Sequence, residues 1–516
     1  MYKLKNHSQN QNKKDISMTR ASGIFLHPTS LPSPYGIGDL GGAALRFVDL
    51  LAANEQTYWQ FCPLSPTGYG DSPYQTFCSF AGNTLLISPD ELVKDGLLSK
   101  DDLKSYPVLA EDRVDYGAVI TEKEKLLRKA YRNFTDTKEF AKFCAKEKLW
   151  LDEYALFRTI KTHHKERPWW EWEAKYKLRK ADALKAIAEK SADSLRYQKF
   201  LQFIWDTQWQ KVRAYAAEKK ILLIGDVPFY TAYDSSDTWS EPSQFLFDEE
   251  AKPIDVAGVP PDYFSETGQL WGNPLYRWDT MKKDGYTWWR RRIEKTLELV
   301  DFIRIDHFRA FDSYWAVPYG SPTAATGEWR VGPGIHFFDT IKKALGELPF
   351  IAEDLGDITP GVIKLREDIN APGMKILQFA FGGGPKNPYL PHNATIDSVT
   401  YTGTHDNDTS LGWFTLLSAA EKKDVYNYLG CTSKNFLESF IRAALGTTSW
   451  LCLIPMQDVL GLGGEHRMNT PGKMWGNWQW RMAEAMLAKA KMKRLAELTK
   501  TYGRARECER EKCNGK

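Results

Sequence analysis

From about residue 220 onward the sequence repeats one unit: a short uninterrupted apolar run, a polar loop, then a helix-period stretch with readable caps. The runs are 221–224 before Gly225-Asp226, 300–305 before Asp306, 349–352 before Glu353, 374–381, 398–403 before Thr404-His405-Asp406, and 450–455. Helix patterns lie between them at 288–299, at 337–345 with Gly346 in the stop position, and at 436–445 ahead of Gly446. Thr359-Pro360 is a cap with a first-turn proline, and Ser418-x-x-Glu421 is a capping box. An apolar run without polar alternation is a strand covered on both faces, and such strands separated by helices build a parallel sheet. Two earlier runs, 21–31 and 57–64, bring the count to eight, centred near 24, 59, 222, 303, 351, 377, 400 and 452. Eight parallel strands close a (β/α)8 TIM barrel. A doubly wound open sheet is the other solution.

The stretch from about 92 to 215 is different: charged and helix-periodic, with Leu126, Leu127, Ala130, Tyr131 and Phe134 on one face. It reads as a largely helical insertion between early barrel strands, within which Trp169, Trp170 and Trp172 pack locally. Residues 18–502 then form one barrel domain, between a tail at 1–17 and a charged tail at 503–516, with Met18 as a second candidate start.

Several functions are excluded by composition. Lys and Arg number 69 against 66 Asp and Glu, a net charge of +3, so no basic surplus exists to neutralise nucleic-acid phosphates. No run of about 18 apolar residues offers a membrane span. The seven scattered cysteines suit reduced thiols in the cytoplasm, and Cys508 and Cys513 have no nearby His to complete a zinc site. Residues 1–20 lack the apolar core of a secretory signal. The aromatics (19 Trp, 24 Tyr, 26 Phe) fit a large core, or surfaces that stack on flat ligands such as sugar rings.

Asp226, Asp306, Glu353 and Asp406 each sit just past the C-terminal end of an apolar run. In a barrel those ends converge on the face that carries catalytic residues. One acid at a strand end is ordinary helix capping. Four, bordered by Arg304, His307, Asp354, His405 and Asn407, form a cluster. Carboxylates without a nucleophilic Cys, a Ser elbow or a phosphate loop suit glycoside chemistry, in which one is protonated and another ionised. Arg304, two residues before Asp306, shares its side of the strand and is placed to hold it ionised. Glu353 ends the apolar run Phe350-Ile351-Ala352, a setting that raises a carboxyl pKa. A divalent metal is the competing use of such acids, but they come from separated strands without a ligand-spaced motif.

The segments ASGIFLHPTSLPSPYGIGDLG, PLSPTGYGDSPYQ, GDVPFY, GVPPDYFSETGQLWGNPLY, FIRIDHFRAF, IAEDLG, THDN and RMNTPGKMWGNWQWR together resemble the 4-alpha-glucanotransferases, or amylomaltases, in order from about residue 21 to 481. The resemblance implies a barrel of the wider α-amylase clan that moves a glucan segment to the 4-hydroxyl of another α-1,4-glucan with retention. By the same resemblance Asp306 is the nucleophile, Glu353 the acid/base and Asp406 the third acid, with Arg304, His405 and Asp226 lining the same subsite. Tyr69 is then a stacking platform, and Gln269 and Trp271 belong to a loop covering the glucan. No cofactor or metal is implied, and the partners are α-1,4-glucans and maltooligosaccharides. A hydrolytic α-amylase would share the three acids, and a non-catalytic glucan-binding protein would keep the aromatics while tolerating loss of an acid.

Overall fold

A computed structural model describes residues 19–261, 265–489 and 491–506. Eight strands close a parallel barrel. In chain order they are β1 (Ala21–Phe25), β2 (Tyr58–Gln60), β3 (Leu222–Val227), β4 (Phe302–Ile305), β5 (Phe350–Ala352), β6 (Gly373–Ile376), β7 (Ser398–Tyr401) and β8 (Leu451–Pro455). Each pairs with its sequence neighbour, and β8 returns to β1 with Ala21 opposite Leu451. The expected runs are longer than the strands. The stretch 374–381 divides into β6 and a 3-10 turn, Leu377–Phe379, from which the Gln378 side chain donates Nε2 to the carbonyl of Asp408 at 2.8 Å.

Alternation along the strands decides what fills the barrel. Tyr58, Ile224, Phe302, Ile351, Met374, Val399 and Leu453 form one interior cluster, floored by Tyr58, Phe302 and Trp450 in edge and tilted contacts. With a period of two, the next inward positions beyond Ile224, Phe302 and Ile351 are Asp226, Arg304 and Glu353. The packed core therefore gives way to charge at the C-terminal rim.

Outward-facing residues such as Leu223, Ile303 and Ile454 pack under the helices. The chain between β2 and β3 is helical from Pro89–Lys94 to Ala192–Glu218. Trp209 of that last, 27-residue helix is fully buried against Phe61 and donates its indole N–H to the carbonyl of Leu299 at 3.1 Å. Trp169 and Trp172 are buried as well.

Two features depart from expectation. Gln269 and Trp271, expected in a loop, lie on the edge strand of a four-stranded antiparallel sheet ordered Gln269–Pro274, Asp255–Val259, Ser313–Pro318, Glu328–Val331. Its strands come from the β3–β4 and β4–β5 connections, so the pairing is not local. Arg504, placed in the C-terminal tail by its sequence, is fully buried and belongs to the barrel. Cys508 and Cys513 lie outside the described residues. Among the described residues no helix is long and apolar enough to cross a membrane.

Candidate active site

At the C-terminal rim the strand ladders run on into the acids. The amide of Asp306 donates to the carbonyl of Val227, and that of Glu353 to the carbonyl of Ile305, both at 3.0 Å. Backbone pairing thereby fixes the ends of β3, β4 and β5 against one another. Buried Arg304 places Nη1 between Asp226 Oδ2 (2.6 Å) and Asp306 Oδ1 (2.9 Å). Tyr74 donates its hydroxyl to the same Asp226 oxygen at 2.7 Å and stacks on the His405 ring, centroids 5.1 Å apart.

His307 adopts a left-handed backbone, φ 53°, a conformation costly for a side chain with a Cβ. It turns the His307 amide onto Glu353 Oε2 at 2.7 Å. Asp406 accepts from Asn469 Nδ2 at 2.6 Å and faces His405 Nε2 at 3.3 Å. Arg467 also donates to the Asp406 carbonyl.

These surroundings separate the proton affinities of the acids. Burial lifts Asp306 to about 6, with Arg304 opposing and Asp226 and Asp406 adding to the rise. Arg304, expected to hold Asp306 ionised, pulls in that direction, but it shares its charge with Asp226 and burial outweighs it. Burial, then repulsion from Asp306, pushes Glu353 well above the carboxylate range. At Asp406 burial also pulls upward, but His405 and the Asn469 amide outweigh it and hold the acid below its ordinary value. Burial thus favours the protonated form of Glu353, while His405 and Asn469 favour the ionised form of Asp406.

A cleft of about 900 Å³ opens over this rim. Asp306, His405 and Asp406 lie on its floor, Trp478 and Asn469 on one wall, and Gln269 and Trp271 on the other. Trp271 meets the His307 ring edge-on at 4.8 Å and donates to Gln269 Oε1 at 3.2 Å. Six of the expected residues, Asp226, Arg304, Asp306, Glu353, His405 and Asp406, come together, with Gln269 and Trp271 above them. Tyr69 begins the 3-10 turn Tyr69–Asp71, whose Gly70 lines the cleft; its side chain lies outside what is described.

Sequence reasoning missed Tyr74, Asn469 and the His307 amide. Tyr74 and Asn469 stand inside motifs whose order along the chain was noted, but their contacts span 152 and 63 residues. Among the described residues no three His, Cys, Asp or Glu side chains are grouped to hold a metal ion.

The family model for 4-alpha-glucanotransferase matches residues 26–487. A 4-alpha-glucanotransferase of Synechocystis sp. is 46% identical over 495 residues, 94% of this chain and 98% of its own. One from Thermus thermophilus is 44% identical over 501 residues, covering 94% and 99%. The solved structure of amylomaltase from Streptococcus agalactiae in complex with acarbose is 38% identical and superposes with a TM-score of 0.92, covering 95% of this chain and all of that one. The chain belongs to the 4-alpha-glucanotransferase family.

Proposed function

We propose that this protein cuts an α-1,4-glucan in its cleft and passes the freed segment to the 4-hydroxyl of a second glucan or glucose, by two displacements at one anomeric carbon. What carries the reading is a protonated Glu353 beside an ionisable Asp306 held by Arg304. Glu353 gives its proton to the glycosidic oxygen as an Asp306 oxygen bonds to the anomeric carbon, and the leaving chain departs with that proton. The acceptor's 4-hydroxyl then attacks the same carbon, losing its proton to Glu353 and releasing Asp306. Asp406, held ionised, accepts hydrogen bonds from sugar hydroxyls, which shorten as the ring becomes oxocarbenium-like. Asp226, itself bonded by Tyr74, holds Arg304 and thereby orients Asp306, while Tyr69, Gln269, Trp271 and His405 contact the glucan.

The substrates are α-1,4-glucans and maltooligosaccharides. A cytoplasmic location is proposed too, supported by five free cysteines among the described residues, four of them buried.

Maltotriose alone is the test. Glucose and longer oligosaccharides should appear with total reducing ends constant, since each transfer breaks one glycosidic bond and makes another. Reducing ends that rise in step with maltotriose loss would make the protein a hydrolase.

A further inference from the structure

Asp406 reaches the cleft from a loop between β7 and the helix Ser410–Leu416, and a single carboxylate behind that loop binds both of its ends. Asp458 lies in the short helix Met456–Leu460 that follows β8, and is 2% exposed. Its Oδ2 accepts the hydroxyl of Thr402, at the start of the loop, at 2.6 Å. The same oxygen accepts the Ser410 hydroxyl at 2.7 Å, and Oδ1 accepts the Ser410 amide at 2.8 Å. Thr402 and Ser410 are themselves fully buried, so these three bonds have no competition from solvent. Between the two anchors the loop is internally tied, with Asn407 Oδ1 accepting from both the amide and the hydroxyl of Thr404 at 2.9 and 2.8 Å. Its crest is held from the other side by the Asn469 amide on the His405 carbonyl at 3.1 Å.

From this geometry we infer that Asp458 is a positioning residue: a clamp that sets the spacing of the loop's two ends and so the height at which His405 and Asp406 meet the sugar. A carboxylate suits the place because it is acceptor-only, with room for all three donors at once. Asp458 touches no substrate; it acts through Asp406. The inference rests on the glucanotransferase reading.

Its test uses the full chain on maltotriose, with acarbose as inhibitor, because acarbose carries a flattened ring like the one Asp406 is proposed to grip. In Asp458→Ala a displaced Asp406 should lower kcat about 10–100-fold, leave KM within about threefold, and weaken acarbose inhibition in step with kcat. Asp458→Asn keeps an oxygen for the Ser410 amide and an NH2 that both hydroxyls can accept, so it should recover most of the activity. Should Asp458→Ala fail to fold, the double variant Thr402→Val/Ser410→Ala removes two of the three bonds and decides by the same measurements. Unchanged kcat per folded molecule, or a loss of kcat without any change in acarbose inhibition, overturns the clamp. An inactive wild type would instead overturn the glucanotransferase reading and is told apart by that.

Discussion

Asp306 has a proton affinity that serves chemistry at the expense of stability. Burial lifts it from 3.8 to about 6 although Arg304 stands 2.9 Å away. Turnover of maltotriose should therefore fall as pH drops through about 6 and Asp306 takes up a proton. On the alkaline side it should persist above the usual carboxylate range until Glu353, held protonated by burial and by Asp306, loses its proton. For stability the sign is the opposite of that for an acid whose pKa is lowered on folding. Between 3.8 and about 6 the folded chain binds a proton that the unfolded chain does not, so acidification relieves the folded state. At neutral pH the charged form costs at most about 3 kcal/mol, from roughly two units of pKa. Asp306→Asn should accordingly abolish transfer yet raise the melting temperature at pH 7, and the gain should shrink by pH 4. A variant that melts no higher than wild type at pH 7 would contradict this. The four acids were legible in sequence because each ends an apolar strand. Tyr74 and Asn469 were not, since a hydrogen bond spanning 152 residues leaves no periodic trace.

The element that closes over the acids is the hairpin of Asp255–Val259 and Gln269–Pro274. The other strands of its sheet, Ser313–Pro318 and Glu328–Val331, come from the next connection, so no local alternation announced it. Where the chain enters the second strand, Gly268 takes φ 68°, and a Cβ there would stand 2.3 Å from the Val259 carbonyl oxygen, so only glycine fits at this point without strain. The hairpin presents Gln269 and Trp271 to the cleft, with Trp271 against the His307 ring directly after Asp306. Water competes with the acceptor for the proposed glycosyl-enzyme, and a wall of this kind both excludes water and orients a sugar. Trp271→Ala should therefore raise the ratio of hydrolysis to transfer on maltotriose. Its melting point should change little, because Trp271 is only half-buried and its ladder bonds are backbone. An unchanged ratio of reducing ends to glucose would show that this wall does not choose between water and sugar. Tyr263 and Phe264, in the same connection, lie outside the described residues.

At the scale of the whole molecule, eight apolar runs were countable in sequence and implied closure, but the register and fastening of the seam where β8 meets β1 were not legible, because its partners lie over 400 residues apart. Arg504 secures that seam. Its guanidinium donates to the carbonyls of Leu445 (2.8 Å), Ala21 (2.9 Å), Thr447 (2.9 Å) and Trp450 (3.2 Å), which belong to β1, to the helix before β8, and to the turn between that helix and β8. Arg20 reaches the Thr447 carbonyl from the start of β1. Burial lowers the Arg504 pKa to about 10, still far above neutral, so the cation persists at every working pH. Removing a fully buried side chain that bonds four carbonyls takes one donor from each. Thr447 and Leu445 keep Arg20, and Trp450 keeps the Ala21 amide, so the loss is about 1–3 kcal/mol. Ala21 opens β1 and Trp450 directly precedes β8, both across the packed interior from the cleft. The two ends are thus separable. Arg504→Ala should lower the melting temperature by several degrees while kcat and KM on maltotriose, taken well below that temperature, stay at wild-type values. Truncation after Gly503 should lower it at least as far, since it removes these contacts together with those of Arg506 to the Lys219 and Gln56 carbonyls. A melting point unchanged in both variants would mean that the ladder between β1 and β8 holds without the arginine. A fall in kcat at full folding would mean that strain at the seam is transmitted through the barrel to Asp306.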